Sequence, residues 1–208
     1  NGCFYVHHLP PEQRYFKHYK KARSARTLAA EQIEKTKEEL DYLEGQLENL
    51  RKCETEGELN EIREELEKLN YVRVNRNRRQ LKKLPPSQPL HYVSSTGADI
   101  LVGKNNLQND ELTASARPNE TWLHTKDIPG SHVIVVSENP DDDTIREAAL
   151  LAAFYSKASA SSSVPVDYTL KRYVKKPGGA KPGFVIYTHQ HTLFATPTTE
   201  KIAAIRKV

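Results

Sequence analysis

A run of amides with one lysine follows a predicted strand at residues 103–110, in the order Gly-Lys-Asn-Asn-Leu-Gln-Asn-Asp. The free backbone N–H groups of a helix N-terminus bind phosphate or carboxylate, and neighbouring Lys and Asn side chains add further donors. The candidate contacts to such an anion are Lys104, Asn105, Asn106 and Asn109. The alternative is that Asn106 or Asn109 only caps the helix.

A second candidate segment, residues 122–133, contains the single tryptophan of the chain, two histidines and a lysine around one predicted turn. Strand alternation puts Trp122, His124 and Lys126 on one face. A tryptophan beside cations stacks on a nucleic-acid base while the cations hold its phosphate. A contact within the core is the alternative for Trp122. The candidate residues here are Trp122, His124, Lys126, Ser131 and His132.

Basic and aromatic residues are interleaved in a third segment, residues 168–183, which ends in a glycine-rich loop. Glycines let the backbone approach a ligand, and lysines supply a salt-dependent attraction to phosphates. The loop is not a P-loop, because the Gly-Lys-Ser/Thr ending is missing. A solvated hairpin loop is the alternative. The candidates are Lys171, Arg172, Lys175, Lys176 and Lys181.

The histidines also allow an enzymatic interpretation, in which His124, Asp127 and His132 form a metal site or an acid–base pair. No third strong ligand and no activated nucleophile follow at a recognisable spacing. Neither Gly-x-Ser-x-Gly nor His-Glu-x-x-His occurs in the sequence. We therefore expect a binding protein that is not an enzyme and that uses no metal and no cofactor.

Before these segments the chain is predicted to form a long helix that presents the module containing them. No proline interrupts residues 12–52, and a heptad pattern runs through them. The heptad stripe consists of Tyr15, Tyr19, Ala22, Arg26, Ala29, Ile33, Thr36, Leu40, Leu43, Leu47 and Leu50.

A second stripe at residues 59–69 follows a break in the pattern at residues 53–57. Neither helix buries its stripe alone, so we expect an antiparallel hairpin, a coiled coil, over residues 12–84. Cys53 is then expected near its distal tip.

The formal net charge of +4 is unevenly distributed. Three stretches are basic and free of acids, residues 14–26, 73–83 and 171–181, whereas residues 31–68 are strongly acidic. Folding the hairpin back brings the first two basic stretches to the same end, which gives a positive base and an acidic shaft. The base is predicted to carry a secondary basic patch of Arg73, Arg76, Arg78 and Arg79; a solvated helix face is the alternative.

After the proline-rich residues 85–89 the pattern changes from helical to alternating. A β-hairpin is predicted around Thr96 and Gly97. Further strands are predicted at residues 121–125, 132–137, 166–174 and 184–194, and helices at residues 106–116, 141–158 and 199–207. The fold class is therefore α+β, with a compact module of mainly antiparallel sheet over residues 85–208.

A chain without methionine is expected to be a fragment. Residues 1–11 fit no later pattern, and we interpret these residues as a tag or an upstream tail. The longest apolar run, residues 148–155, is far shorter than the roughly 20 residues that cross a bilayer. No secretion signal opens the sequence. Its two cysteines form no disulfide framework. A cytoplasmic protein without membrane contact is expected.

The three candidate segments carry a family resemblance in their order: Gly-Lys-Asn-Asn-x-Gln-Asn-Asp at residues 103–110, Trp-x-His with Asp-Ile-Pro-Gly-Ser-His at residues 122–132, and Lys-Lys-Pro-x-Gly-Ala-Lys-Pro-Gly at residues 175–183. Together they resemble the RNA-binding NFACT-R module of the NFACT family. The preceding hairpin is similar to the coiled coil of that family, so the resemblance extends from about residue 12 onward.

The resemblance implies a ribosome quality control factor that binds obstructed large ribosomal subunits, through rRNA and a stalk-base protein, and tRNA. Such a factor would support alanine tailing of stalled nascent chains, while the ribosome performs the peptide-bond chemistry. This chain would supply ribosome and RNA binding, without the tRNA-selecting amino-terminal domain. The alternative follows from family members named as adhesins: a cell-surface fragment that binds fibronectin or another extracellular matrix protein.

Overall fold

The computed structural model describes residues 11–74 and 86–208. The chain divides into two units, Asn1–Asp41 and Tyr42–Val208. Helix α1, Pro11–Lys52, runs through the end of the first unit into the second. Its 42 residues correspond to about 63 Å at 1.5 Å per residue, and the predicted long helix is confirmed.

The heptad stripe of α1 is not buried among the described residues. Residues 12–41 are exposed, and the predicted partner segment, residues 75–84, lies outside the described residues. Leu43, Leu47 and Leu50 are exposed as well. The buried side chains of α1 are Tyr42, Gln46 and Asn49. The prediction that Leu43, Leu47 and Leu50 form the helix–helix contact is therefore wrong, because the polar stripe next to them meets the rest of the second unit.

Helix α2, Glu56–Lys68, turns back along the last turns of α1. Thr55 caps it by accepting a hydrogen bond from the Glu58 backbone N–H at 3.3 Å. The Tyr42 hydroxyl donates to Glu65 Oε1 at 2.7 Å, which pairs the two helices in antiparallel fashion. The hairpin turn is thus confirmed. Helix α2 ends at Lys68, before the predicted residue 84, and residues 75–85 lie outside the described residues.

Cys53, in the turn between α1 and α2, does not lie at a distal tip. It is half-buried and borders a cavity of about 40 Å³ whose walls include Lys104 and Tyr155 of the following module. The tip prediction is wrong because the α1–α2 turn packs against the module.

The module contains a seven-stranded sheet in the order β8-β5-β3-β4-β2-β1-β9. Every pairing in it is antiparallel, as predicted. Its strands are β1 Leu90–Val93, β2 Asp99–Val102, β3 Thr121–Thr125, β4 Val133–Val136, β5 Val164–Leu170, β8 His191–Ala195 and β9 Arg206–Lys207. Strands β6, Val174–Lys175, and β7, Ile186–Tyr187, pair with each other as a separate ribbon.

Three predicted elements end earlier than expected, and the first is the helix predicted over residues 141–158, which is α4, Asp142–Phe154. The strand predicted over residues 166–174 stops at Leu170 and continues as the 3-10 helix Lys171–Tyr173. The last helix, α5, Thr199–Ala204, gives way to β9 at the sheet edge. The strand predicted over residues 184–194 is divided between β7 and β8.

Each face of the sheet has its own core, which follows from strand alternation. Helix α4, Asp142–Phe154, covers one face and packs its alanines near Leu123. Helix α3, Asn106–Ser115, lies over the other face, where Trp122 packs with Ile134. None of the described helices is long and apolar enough to span a membrane.

Candidate nucleic-acid interface

The three segments singled out in the sequence meet in space. Asn105 caps α3, since its Oδ1 accepts from the Gln108 backbone N–H at 2.9 Å. Asn109 Oδ1 accepts from the His132 backbone N–H at 3.0 Å, which joins the first segment to the second. Asp110 Oδ1 accepts from the Gly183 backbone N–H at 3.1 Å, which joins the first segment to the third.

Glycines in these segments are required by contacts within the protein. A Cβ atom added to Gly103 would lie 2.1 Å from the Asn109 Oδ1 atom. A Cβ atom on Gly183, whose φ is +80°, would lie 2.8 Å from Asn106 Oδ1. Here the close approach that glycine permits is between segments of the chain, and not toward a ligand as the sequence indicated.

The predicted anion site at the start of α3 is filled by carboxylates of α2. Lys104 Nζ pairs with Glu58 Oε1 at 2.7 Å. One turn further along α2, Asn105 Nδ2 donates to Glu61 Oε2 at 2.7 Å. Asn106 Nδ2 donates to Glu65 Oε1 at 3.3 Å. The chemistry inferred for this segment, carboxylate binding by lysine and amides, is used to dock the acidic helix onto the module.

The lysines of the third segment also make internal contacts. Lys181 Nζ donates to the Tyr71 hydroxyl at 2.8 Å and lies 4.8 Å from the centroid of the Tyr42 ring. Lys176 forms an ion pair with Asp110. The alternative of a wholly solvated hairpin loop is therefore wrong, because two of its cations are anchored.

Glu65 is the centre of a buried polar cluster at the contact between α1, α2 and the module. Its Oε1 accepts hydrogen bonds from Tyr42 and Gln46 as well as from Asn106. The residue is only 1% exposed, and burial raises the pKa of the Glu65 carboxyl despite these hydrogen bonds. Burial and the adjacent Glu65 likewise raise the pKa of Tyr42.

Trp122 lies in the core and not on an RNA-facing surface. Its ring is fully buried and lies 5.2 Å from the His132 ring and 4.8 Å from the Tyr187 ring, between centroids. Burial lowers the pKa of His124 to about 4 and lowers the pKa of His132 well below its ordinary value. Both rings are therefore neutral at pH 7 and do not attract phosphate.

The proposed metal or acid–base site does not assemble as a ligand cluster. The His124 and His132 rings are 5.3 Å apart between centroids, while Asp127 is exposed in the turn. His132 Nδ1 is 2.8 Å from the Thr113 hydroxyl oxygen. In residues 11–74 and 86–208 no group of three or more His, Cys, Asp or Glu side chains is placed to hold a metal ion.

Burial separates the predicted contact residues into two groups. Those whose side chains the fold encloses are Asn105, Asn106, Asn109, Trp122, Ser131 and His132. For these the expectation of a solvent-facing surface is wrong. Exposed or half-buried are Lys104, His124, Lys126, Lys171, Arg172, Lys175, Lys176 and Lys181.

Among this second group, three basic side chains are exposed and have no ion pair with a described residue: Lys126, Arg172 and Lys175. In the secondary basic patch Arg73 is exposed, while Arg76, Arg78 and Arg79 lie outside the described residues.

Sequence reasoning missed two ring residues beside Arg172. Tyr173 and His189 stack with their ring centroids 4.2 Å apart. Tyr173 stood inside the interleaved basic and aromatic segment, which was a usable signal. His189 lies in the turn between β7 and β8, and no local pattern connects it to Tyr173.

Comparison with known proteins identifies the family. Residues 11–85 match the profile of NFACT N-terminal and middle domains, and residues 88–188 match that of the NFACT protein RNA binding domain. The structure of the C-terminal part of the fibronectin/fibrinogen-binding protein from Streptococcus suis superimposes with a TM-score of 0.82 at 43% identity, covering 94% of this chain and 78% of that one. The chain belongs to the NFACT family.

Two curated NFACT relatives show the same extent of similarity. The Rqc2 homolog RqcH of Bacillus subtilis (strain 168) is 48% identical over 197 residues, which is 94% of this chain and 34% of that protein. The Rqc2 homolog RqcH of Streptococcus suis (strain 05ZYH33) is 44% identical over 93% of this chain and 35% of that protein. The chain spans about a third of the length of both relatives.

Proposed function

We propose that this chain is the ribosome- and RNA-binding part of a ribosome quality control factor. The observation that carries the proposal is the match of residues 88–188 to the NFACT RNA binding domain, within a chain 48% identical to an Rqc2 homolog. Exposed cations on the module, among them Lys126, Arg172 and Lys175, supply the electrostatic attraction to phosphates that RNA binding needs.

In the proposed function the whole protein binds obstructed large ribosomal subunits, through rRNA and a stalk-base protein, together with tRNA. It supports alanine tailing of the stalled nascent chain. The peptide bond is made by the ribosome, so this chain acts by binding, without catalysis and without a cofactor. Its place of action is then the cytoplasm, on the ribosome.

Sedimentation tests this role directly. The full-length parent protein is expected to sediment with large ribosomal subunits from cells in which translation is stalled. Replacing Lys126, Arg172 and Lys175 together with alanine should reduce that association. Arg146→Ala is the control, because Arg146 is an exposed arginine already paired with Asp143 on α4. Absence of the parent protein from the large-subunit fraction would refute the ribosomal role.

RNA binding by this chain is tested by its salt dependence. The slope of log affinity against log salt for single-stranded RNA should fall by about 0.7 for each phosphate contact removed. Unchanged affinity and slope in the triple variant would show that these three cations are not the contact.

A second candidate function is adhesion to the extracellular matrix. It is favoured by the structural relative from Streptococcus suis, a fibronectin/fibrinogen-binding protein that is 43% identical to this chain. Specific binding should saturate and survive high salt. Nonspecific attraction between basic patches and acidic proteins disappears at high salt, because salt screens exposed charges. Fibronectin binding that vanishes at high salt would exclude the adhesin function.

A further inference from the structure

Arg172, Tyr173 and His189 form one stacked group on the module, and we call it the Tyr173 stack. The Tyr173 and His189 rings are 4.2 Å apart between centroids and inclined by only 23°. The guanidinium carbon of Arg172 lies 5.1 Å from the Tyr173 centroid, within the distance at which a cation is attracted to an aromatic ring.

The Tyr173 stack lies at the surface, in contrast to Trp122. Arg172 and His189 are exposed and Tyr173 is half-buried, whereas the Trp122 ring is fully buried. An aromatic group binds a nucleobase only where its face reaches solvent. The stack therefore has the accessibility that Trp122 lacks.

Hydrogen bonds hold both sides of the stack in place. The Arg172 backbone N–H donates to Pro118 O at 3.1 Å, and its guanidinium donates to Asn119 Oδ1 at 3.3 Å. On the other side, Thr169 Oγ1 donates to Thr188 O at 2.9 Å and is within 3.3 Å of His189 O. Side chains fixed before a ligand arrives lose less entropy when it binds.

The backbone at His189 has an uncommon conformation for a residue other than glycine. Its φ is +57°, in the left-handed region that glycine and asparagine adopt more readily than most other residues. Local strain of this kind clusters at binding sites, where the surrounding structure maintains it. At this φ the His189 ring stacks on Tyr173.

Positive charge flanks the stack along the chain. Lys171 precedes Arg172, and Lys175 is exposed on β6. Opposite Lys175 in the β6–β7 ribbon is Ile186, which is itself 53% exposed. Cations next to an accessible aromatic group match a nucleotide, whose phosphates are anionic and whose base has an apolar face.

We propose that Arg172, Tyr173 and His189 form a stacking site for an unpaired RNA base, with Lys171 and Lys175 attracting the adjoining phosphates. This inference rests on the proposed RNA-binding function and specifies its ligand as single-stranded RNA. Bases within an A-form duplex are stacked on one another and are not available to a protein ring. Single-stranded loops, bulges and ends are therefore the expected targets.

The test compares binding of this chain to a fluorescein-labelled 12-nucleotide single-stranded RNA and to the corresponding duplex. His189→Asn should leave the melting temperature unchanged or raise it, because asparagine suits the left-handed backbone. It should weaken single-strand binding about tenfold, in line with the loss of one base–aromatic contact. Duplex affinity should change less than twofold.

Two pairs of variants separate stacking from charge and from folding. Tyr173→Leu should reproduce the loss while Tyr173→Phe retains single-strand binding, because phenylalanine keeps the ring. Lys175→Ala should lower the salt slope, which His189→Asn leaves unchanged. Arg146→Ala, an exposed arginine of α4 outside the stack, should bind as the wild type does.

Equal single-strand affinity of the wild type, His189→Asn and Tyr173→Leu would overturn the stacking site while leaving RNA binding intact. An equal loss for duplex and single strand would overturn it as well. If the wild type binds neither RNA, the proposed function fails together with this site.

Discussion

Lys104 provides the sharpest test of whether the amide- and lysine-rich segment serves docking or RNA binding. Its Nζ lies 2.7 Å from Glu58 Oε1, and the two side chains are 26% and 7% exposed. Lys104→Ala leaves the buried Glu58 carboxylate without its cation. The Glu54 backbone N–H, which donates to Glu58 Oε2 at 2.9 Å, remains as a partner.

The expected cost follows from burial. Removing one partner of a fully buried ion pair costs about 3–5 kcal/mol, whereas exposed pairs contribute about 1 kcal/mol or less. Glu58 is buried but Lys104 retains about a quarter of its surface, so we expect a loss of about 2 kcal/mol. That corresponds to roughly a 30-fold change in the folding equilibrium constant.

The measurement is urea unfolding at pH 7 of the wild type, Lys104→Ala, Glu58→Ala and the double variant. A coupling energy of about 1–2 kcal/mol between the two positions is expected for residues in direct contact. Lys175→Ala is the matched control, since Lys175 is exposed and its loss should change stability by less than about 0.5 kcal/mol.

RNA binding completes this test. If Lys104 serves only to dock α2, the salt slope of RNA binding should be the same for Lys104→Ala and for the wild type. A variant that unfolds within about 0.5 kcal/mol of the wild type, shows no coupling to Glu58 and loses salt slope would refute the docking assignment.

Three further predictions concern pH and packing. The pKa of His124 is lowered to about 4 and that of His132 is also lowered, so the unfolded chain takes up these protons first. The contribution of His124 to the free energy of unfolding is complete above about pH 6.5 and should decrease as the pH falls toward 4, by up to about 3 kcal/mol. Urea titrations at several pH values measure this, and a pH-independent stability would contradict it. The pKa of Glu65 is raised in the folded protein, so its contribution to stability is complete below about pH 4.3 and is lost as the pH rises through the folded pKa. Glu65→Gln should abolish this loss of stability, and a variant whose stability varies with pH as the wild type's does would contradict the assignment to Glu65. Gly103→Ala should destabilise by about 2 kcal/mol or more because its Cβ would lie 2.1 Å from an amide oxygen, whereas Gly178→Ala, with nothing within 4 Å, should be neutral in thermal melts.

Local sequence patterns were sufficient for much of the module. The strand predicted at residues 121–125 corresponds to β3, and the aspartate run at residues 141–143 marks the start of α4, where Asp141 caps the helix. Alternation and capping involve residues a few positions apart, so they are readable along the chain. The turn at Gly97, whose φ is +92°, follows the same logic.

Local patterns could not say what the candidate segments contact. Lysine and amide groups at a helix start bind a carboxylate as readily as a phosphate. The carboxylates that occupy Lys104 and Asn105 come from α2, 46 and 44 residues earlier in the chain. Likewise, Trp122 is enclosed because α3 covers that face of the sheet. Only the tertiary structure decides such burial.

The sequence by itself determined the long helix, the antiparallel α+β module and the family. The tertiary structure decided which residues of that module are free to bind. A heptad of leucines predicts a buried seam, yet the side of α1 that packs is Tyr42, Gln46 and Asn49, because the groups facing it are polar. Periodicity specifies which residues share a face. It does not specify the partner of that face, which comes from parts of the chain distant in sequence.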